Sequence, residues 1–232
     1  MKRDFVLVTH HVSRIIGYNG RMLLDTNSPL YWQESYANGR IPWDLGQPTP
    51  VFARLAASGS YPPGKMIVLG AGRGHDARLF ARHGFVVTAV DFAPHAADAM
   101  RELNDPANPV QILQKDIFEL DGAWNGRFDY LLEYTCFCAI DPARRGDYAA
   151  LAARLLKPGG LYIGLAFPIG KRPGGPPFVV QPDIVIELLT EHGFKLQYRE
   201  FPPDSVPSRQ NIEELIILKK QRDQKSNHEF YE

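Results

Sequence analysis

The chain has 232 residues, of which 44% are hydrophobic, and its 26 basic and 26 acidic side chains leave no formal net charge at pH 7. This composition suits one large α/β domain or two small ones, and the charge balance argues against a nucleic-acid partner or an anionic membrane surface. Because we find neither a membrane-length apolar run nor a signal-peptide pattern, we expect a cytoplasmic protein that has no membrane partner.

Residues 1–28 are the least informative part of the sequence. An apolar run at residues 5–8 could form a short strand, and the pair Asn19 and Gly20 is typical of a turn. We predict an N-terminal extension here. A disordered or loosely docked extension and a functional one are equally compatible with this pattern.

The next segment, residues 29–60, combines aromatic side chains with helix breakers. Short helices are predicted at residues 29–39 and 51–58, with a loop rich in Pro and Gly between them. An aromatic segment of this kind could close over a bound cofactor as a lid. The alternative is that Trp32 and Trp43 are ordinary core residues.

Three glycines, Gly70, Gly72 and Gly74, separate an apolar strand pattern from a helical one. Glycine lets the backbone approach a ligand closely, and such a turn aims the free N–H groups of the helix at that ligand. The next predicted strand ends at Asp91, whose carboxylate suits ribose hydroxyls. Strand, glycine turn, helix, strand and acid form the nucleotide-binding half of an open α/β sheet.

Two cofactor classes use such a unit, and the glycine spacing distinguishes them. A dinucleotide motif requires its third glycine three positions after the second, where this chain has His75. S-Adenosylmethionine has no pyrophosphate to seat on the helix, so it tolerates the closer spacing of this turn. The remaining alternative is an ordinary turn between strand and helix that binds no ligand.

The alternation of strands and helices continues along the chain and predicts the fold class. The remaining predicted elements are helices at residues 76–83, 96–103, 142–156 and 182–192, a turn at 157–160, and strands at 66–69, 85–90, 110–114, 128–133, 161–167, 194–201 and 214–218. We predict a Rossmann-like α/β fold, with a mostly parallel sheet and helices on both faces. The last two strands have no helical pattern between them, which predicts an antiparallel edge strand.

Three stretches go beyond this general pattern. They are Trp32 with residues 41–46 (Ile-Pro-Trp-Asp-Leu-Gly), residues 133–140 (Glu-Tyr-Thr-Cys-Phe-Cys-Ala-Ile) and residues 174–178 (Gly-Gly-Pro-Pro-Phe). Together they resemble the thiopurine S-methyltransferase family, and in particular its halide and thiol methyltransferase branch. The resemblance extends from Tyr31 to Lys219. It implies a class I S-adenosylmethionine-dependent methyltransferase with a single domain at residues 29–219 and a polar tail at 220–232.

The resemblance also implies which residues form the site. The candidate cofactor-binding residues are Trp32, Tyr36, Trp43, Gly70, Asp91, Asp116, Ile117, Phe118 and Tyr134, to which the glycine turn adds Gly72 and Gly74. Tyr134 and Glu133 are the candidate catalytic residues, and Phe167 and Phe178 are the candidate acceptor residues. Glu133 could orient a water molecule or hold the ammonium group of the cofactor. The alternative for Glu133 is a solvated strand end.

The expected chemistry is in-line transfer of the activated sulfonium methyl group to a small-molecule acceptor, with S-adenosylhomocysteine as the product. This reaction needs alignment and exclusion of water, and we expect no metal. The expected acceptors are soft nucleophiles such as thiols, bisulfide, thiocyanate or halides. Two alternatives are an aromatic or heterocyclic thiol as acceptor and a module that binds S-adenosylmethionine without turnover.

The two cysteines, Cys136 and Cys138, have no partners at the spacing of a zinc site. We predict that they face the same side of an extended segment as small buried residues. Two cysteines cannot form a disulfide framework, which suits a reducing compartment. The oligomeric state is left open, and a monomer is compatible with the sequence.

Overall fold

The computed structural model describes residues 15–16, 22–23 and 26–222. Its helices are α1 (Pro29–Ala37), α2 (Pro50–Ala57), α3 (His75–Arg82), α4 (Pro94–Glu102), α5 (Arg145–Leu155) and α6 (Pro182–Glu191). Its strands are β1 (Ile15–Ile16), β2 (Met22–Leu23), β3 (Lys65–Leu69), β4 (Val86–Asp91), β5 (Gln111–Gln114), β6 (Phe128–Tyr134), β7 (Leu156–Ala166), β8 (Phe194–Glu200) and β9 (Glu214–Lys220). The strand predicted at residues 5–8 and the turn at Asn19 and Gly20 lie outside the described residues.

Seven strands form one sheet in the order β5-β4-β3-β6-β7-β9-β8. The five strands from β5 to β7 are parallel to one another. Strand β9 runs antiparallel to both of its neighbours, β7 and the edge strand β8. The prediction of a mostly parallel sheet with an antiparallel strand at one border is confirmed. Strands β1 and β2 form a separate antiparallel pair.

Two hydrophobic cores cover the two faces of the sheet. Ile67 and Leu69 of β3 join the core that α5 and α6 cover, whereas Met66 and Val68 join the core that α2 and α3 cover. This division follows from the strand itself, because successive side chains point to opposite faces. Helices on both faces are therefore confirmed. No helix in the described part of the chain is long and apolar enough to cross a membrane.

The segment from α5 to β7 differs from its prediction. The predicted helix at residues 142–156 begins as a 3-10 turn, Pro142–Arg144, and β7 already starts at Leu156. The reason is a bulge in the pairing with β6, because Phe128 pairs with Leu156 whereas Tyr130 pairs with Leu161. The turn predicted at residues 157–160 therefore lies inside a bulged strand.

Candidate functional site

The main cavity lies at the carboxyl ends of β3, β4, β5 and β6, where ligands bind in sheets of this kind. The strand ends contribute Val68, Gly70, Ala71, Gly72, Asp91, Phe92, Lys115, Asp116, Ile117, Phe118, Leu132, Tyr134, Thr135 and Cys136 to its lining. Residues 26–52, which we call the N-terminal segment, contribute the opposite wall, which includes Trp32, Tyr36, Trp43, Asp44, Thr49 and Phe52. The sheet and the N-terminal segment thus enclose the site between them.

The glycine turn brings the backbone to the cavity at two of its three glycines. Gly70 and Gly72 line the cavity with positive φ angles of 61° and 55°. A Cβ atom on Gly70 would lie 2.7 Å from Sγ of Cys136. Gly74 has a φ of 72° and packs against Met100, and it is not part of the lining. The structure therefore gives Gly74 a role in shaping the turn, in contrast to its predicted contact with the cofactor.

Asp91 lies at the end of β4 with its side chain turned into the cavity wall. Its Oδ2 accepts a hydrogen bond from the Gly72 N–H at 2.8 Å, and its Oδ1 accepts one from the Ala93 N–H at 2.9 Å. Burial raises the pKa of Asp91 to about 6, although these N–H groups favour the ionised form. Each oxygen keeps a lone pair, so the ionised carboxylate fits its predicted role at ribose hydroxyls.

Asp116, Ile117 and Phe118 all reach the same cavity at the end of β5. Asp116 Oδ1 accepts a hydrogen bond from the Phe118 N–H at 2.9 Å and so begins a 3-10 turn, Ile117–Glu119. The Arg144 guanidinium lies 3.9 Å from the centroid of the Phe118 ring. These residues form an apolar corner with one carboxylate, which fits the planar adenine base of the cofactor.

Three aromatic residues of the N-terminal segment, Trp32, Tyr36 and Trp43, form a cluster that lines the cavity. The Trp32 ring lies 5.3 Å from the Trp43 ring, and the Tyr36 ring lies 5.7 Å from that of Trp43, both in T-shaped contacts. Trp32 Nε1 donates to the Thr26 carbonyl at 2.8 Å. Trp32 and Trp43 are only partly buried, and both face the cavity. They therefore do not fit the alternative interpretation, in which they are ordinary core residues.

Tyr134 lies at the end of β6 in a network that the sequence did not predict. Its hydroxyl donates to Glu213 Oε2 at 2.5 Å and accepts a hydrogen bond from Arg209. Arg209 also donates to the Pro42 carbonyl at 3.3 Å and the Trp43 carbonyl at 3.1 Å. Arg209 and Glu213 are 4% and 1% exposed. This network joins the N-terminal segment to the end of β6, and burial raises the pKa of Tyr134 above its usual range.

Glu133 is not brought to the cavity. Its side chain is 3% exposed, and its Oε1 accepts hydrogen bonds from the Cys136 N–H at 3.1 Å and the Phe137 N–H at 2.8 Å. Burial raises the pKa of Glu133 to about 7. The alternative of a solvated strand end is wrong, because the carboxylate lies in the core. The structure also gives it no contact with the cavity through which it could act on the cofactor.

The predicted extended segment at the two cysteines is also wrong. Thr135 has a φ of 60°, and a 3-10 turn, Phe137–Ala139, follows it. The hydrogen bonds that the Cys136 and Phe137 N–H groups donate to Glu133 bend the chain at this point. As a result, Cys136 lines the main cavity, and Cys138 is buried beside a second cavity.

The second cavity lies between α1 and the loop after β7. Its lining is Tyr31, Trp32, Glu34, Ser35, Asn38, Arg40, Pro42, Trp43, Thr135, Cys138, Ala139, Phe167, Pro176 and Pro177. Phe167 therefore lines a cavity, as predicted of an acceptor residue. Phe178 lines neither of the two cavities. Its N–H donates to the Cys138 carbonyl at 2.7 Å, and its ring covers Gly175.

Several lining residues were missed by sequence reasoning. Thr49 donates its N–H and its hydroxyl to the carboxylate of Asp76, at 2.7 and 2.9 Å, and both residues line the cavity. Asp76 stands next to the glycine turn, and that position was the available signal. Arg209 and Glu213 line neither cavity but bond to Tyr134, and they gave no signal because no motif surrounds them. Among residues 15–16, 22–23 and 26–222, no group of three His, Cys, Asp or Glu side chains could hold a metal ion.

The fold and the cavity define an α/β methyltransferase, with a glycine turn, a buried acid at the end of β4 and an aromatic cover that together fit S-adenosylmethionine. A solved structure of the same fold is that of Burkholderia thailandensis 1,6-didemethyltoxoflavin-N1-methyltransferase with bound 1,6-didemethyltoxoflavin and S-adenosylhomocysteine. The TM-score is 0.66 at 24% identity, over 84% of this chain and 87% of the other.

Sequence comparison identifies the family. The family model of thiopurine S-methyltransferase matches residues 28–217. The chain is 37% identical over 176 residues to probable thiol methyltransferase 2 of Arabidopsis thaliana. The aligned region covers 75% of this chain and 77% of that relative. It is 34% identical over 194 residues to thiocyanate methyltransferase 1 of Brassica oleracea, covering 82% and 84%. The chain belongs to the thiopurine S-methyltransferase family and is an S-adenosylmethionine-dependent methyltransferase.

Proposed function

We propose that this enzyme methylates small soft nucleophiles that reach the site as anions, namely thiols, bisulfide, thiocyanate or halides. Bound S-adenosylmethionine supplies a methyl group that its sulfonium already activates. The protein then has to align the acceptor and exclude water. The relatives named as thiol and thiocyanate methyltransferases support this choice of acceptor.

The observation that carries the proposal is the environment of Tyr134. Its hydroxyl is engaged by Glu213 and Arg209, and burial keeps its pKa high, so it stays protonated at neutral pH. Burial also raises the pKa of the Cys136 thiol beside it. Neither group can therefore remove a proton from an acceptor. Oxygen and nitrogen acceptors usually need such a base, whereas thiolates and halides do not.

A buried cation, Arg209, and a buried carboxylate, Glu213, both bond to the Tyr134 hydroxyl. The Arg209 guanidinium lies 5.0 Å from the centroid of the Tyr134 ring and 4.7 Å from that of Phe167. Glu213 is buried beside the same Tyr134 hydroxyl, and its carboxylate opposes the field of this cation. The aromatic faces of the lining suit the sulfonium, an interaction that contributes roughly 0.5–2 kcal/mol.

The dependence of rate on pH tests the proposal. A free thiol has a pKa of about 8.5, so the rate with a simple thiol should rise with pH until the thiol itself has titrated. Iodide carries no proton, and its rate should show no such rise. The measurement is transfer from a methyl-labelled cofactor, with volatile products trapped. Efficient methylation of a catechol or an amine, without turnover of thiols or iodide, would contradict the proposal.

A second candidate acceptor is an aromatic or heterocyclic thiol. The second cavity favours it, because Trp32, Trp43 and Phe167 offer apolar walls beside Thr135, which lines both cavities. A panel of aliphatic thiols, halides and thiopurines decides between the two. A preference for thiopurines that Phe167→Ala removes would support the aromatic acceptor. If no member of the panel is methylated although S-adenosylhomocysteine binds, the chain is a binding module without turnover.

A further inference from the structure

Asp44 connects the N-terminal segment to the glycine turn at the wall of the main cavity. Its side chain is 7% exposed, and its Oδ1 accepts a hydrogen bond from the Gly46 N–H at 2.7 Å and lies 3.2 Å from His75 Nε2. Its Oδ2 lies 3.4 Å from Arg73 Nε but accepts no hydrogen bond within the described chain, although solvent does not reach it. The wall thus holds a buried carboxylate oxygen with unused acceptor capacity.

The other carboxylates of the lining are engaged with the protein. Asp91 accepts from two backbone N–H groups, and Asp76 accepts from the N–H and the hydroxyl of Thr49. Asp116 accepts from one backbone N–H. Among the described residues, Asp44 alone has a carboxylate oxygen that is both buried and without a hydrogen-bond donor. A donor supplied by a ligand would resolve this deficit.

The order of the strands shows which part of the cofactor lies near Asp44. Asp116 lies two residues after β5 and Asp91 ends the neighbouring strand β4, and they fit adenine and ribose in turn. The next strand, β3, leads into the glycine turn, and Arg73 and His75 of that turn hold Asp44. The amino-acid portion of the cofactor follows its ribose, so it extends toward this turn.

We infer that the Asp44 carboxylate, which lines the cavity and has one oxygen without a hydrogen-bond donor, binds the ammonium group of the amino-acid portion of the cofactor. Contact with His75 lowers the pKa of Asp44 against the opposing effect of burial, so the carboxylate is ionised at neutral pH. An ammonium group offers three donors and a full positive charge, which makes the hydrogen bond short and strong. Arg73, which is 41% exposed, is screened by solvent and competes weakly.

Binding measurements without an acceptor test this inference independently of the proposed acceptor. Isothermal calorimetry compares S-adenosylhomocysteine with an analogue in which hydrogen replaces the amino group. The wild-type protein should prefer S-adenosylhomocysteine tenfold or more. Asp44→Asn keeps an oxygen for the Gly46 N–H but removes the negative charge. S-Adenosylhomocysteine should then lose affinity while the analogue loses little, so the preference should fall to within about twofold.

Asp76→Asn is the matched control, because it changes a lining carboxylate that the inference leaves out. It should lower the affinity for both ligands by the same factor and leave the preference for S-adenosylhomocysteine unchanged. Thermal unfolding without ligand establishes that each variant is folded. Equal affinity of the wild-type protein for the two ligands would overturn the inference, and so would a preference that survives in Asp44→Asn. Asp44 would then serve only to connect the N-terminal segment to the glycine turn.

Discussion

The two sides of the main cavity are held together by different kinds of contact. On the cofactor side, Asp91 accepts a hydrogen bond from the backbone N–H of Gly72, which is 19 residues away. On the side of Tyr134, where we propose that the acceptor binds and which we call the acceptor side, Tyr134 donates to the side chain of Glu213, 79 residues away, and Arg209 donates to Tyr134 from 75 residues away. The first side uses backbone donors of the turns that follow two neighbouring strands, and the second uses side chains that only the complete sheet brings together.

The two sides of the main cavity therefore differ in how they tolerate substitution. A backbone N–H remains when its side chain is replaced, so these donors persist through substitution except at Gly70 and Gly72, whose positive φ angles strain any other residue. The acceptor side depends on three partly or fully buried polar side chains, and loss of one leaves the others unpaired. Changes of acceptor therefore require concerted substitutions, whereas the cofactor contacts can persist through them.

The largest expected effect is on the acceptor side. Arg209→Met should lower the free energy of unfolding by about 3–5 kcal/mol, because buried Glu213 loses its nearby cation and Tyr134 loses a donor. Chemical denaturation measures the loss. Arg54→Met is the control, since Arg54 pairs with Glu200 on the surface and should cost about 1 kcal/mol or less. If the two variants lose the same free energy of unfolding, the three side chains do not stabilise the protein as a buried network.

The next effect is on the cofactor side. Asp91→Asn should weaken S-adenosylhomocysteine binding by about 1.5–3 kcal/mol, the scale of a hydrogen bond to a charged group. The predicted hydrogen bonds from the ribose hydroxyls require the ionised carboxylate, so wild-type affinity should also decrease as pH falls through about 6, the raised pKa of Asp91. Calorimetry across pH 5 to 8 measures both effects, and the variant should lack that dependence. Binding of NAD without binding of S-adenosylhomocysteine would contradict the cofactor assignment.

The same contrast explains what could be predicted from the sequence. Gly70, Gly72 and Asp91 form a pattern with fixed spacing, because consecutive strands and turns place them together. Arg209 and Glu213 have no such pattern, because the pairing of β9 with β7 decides which side of the sheet they reach.

Glu133 shows a second limit of the sequence. The position at a strand end was predicted correctly, but whether the carboxylate is solvated depends on how the chain turns after β6. That turn includes Thr135 at a φ of 60°, a conformation rare outside glycine, and no sequence pattern announces it. Gly74 is the opposite case, because a residue in the motif serves the turn and its packing against Met100 instead of the ligand.

A third prediction concerns the cover of the cavity. Residues 29–46 carry Trp32, Tyr36 and Trp43 and should act as a lid that a bound cofactor stabilises. S-Adenosylhomocysteine should slow backbone hydrogen exchange in this segment by roughly tenfold, which corresponds to about 1.4 kcal/mol, and should slow it less in the central strands. Hydrogen exchange followed by mass spectrometry measures both regions at once. Unchanged protection of residues 29–46 would leave the aromatic cluster as a fixed wall.

The smallest expected effect is that of Glu133→Gln. Activity should decrease only modestly, because Glu133 does not line the cavity and Gln keeps an oxygen for the N–H groups of Cys136 and Phe137. Stability provides the sharper measurement. Burial raises the pKa of Glu133 from 4.5 to about 7, so between these values the folded protein retains a proton that the unfolded chain releases. The contribution of Glu133 to stability therefore decreases as pH rises from 4.5 to about 7.

In Glu133→Gln this contribution is absent, so the variant should gain on the order of 2 kcal/mol over the wild-type protein between pH 5 and pH 8. Urea denaturation at the two pH values measures the gain as a difference of differences. Asp91, whose raised pKa produces a similar trend, is present in both proteins and cancels. If the variant instead loses most of its activity while its stability follows the wild-type dependence on pH, Glu133 acts on the reaction, and the acceptor side of the site extends beneath the cavity wall.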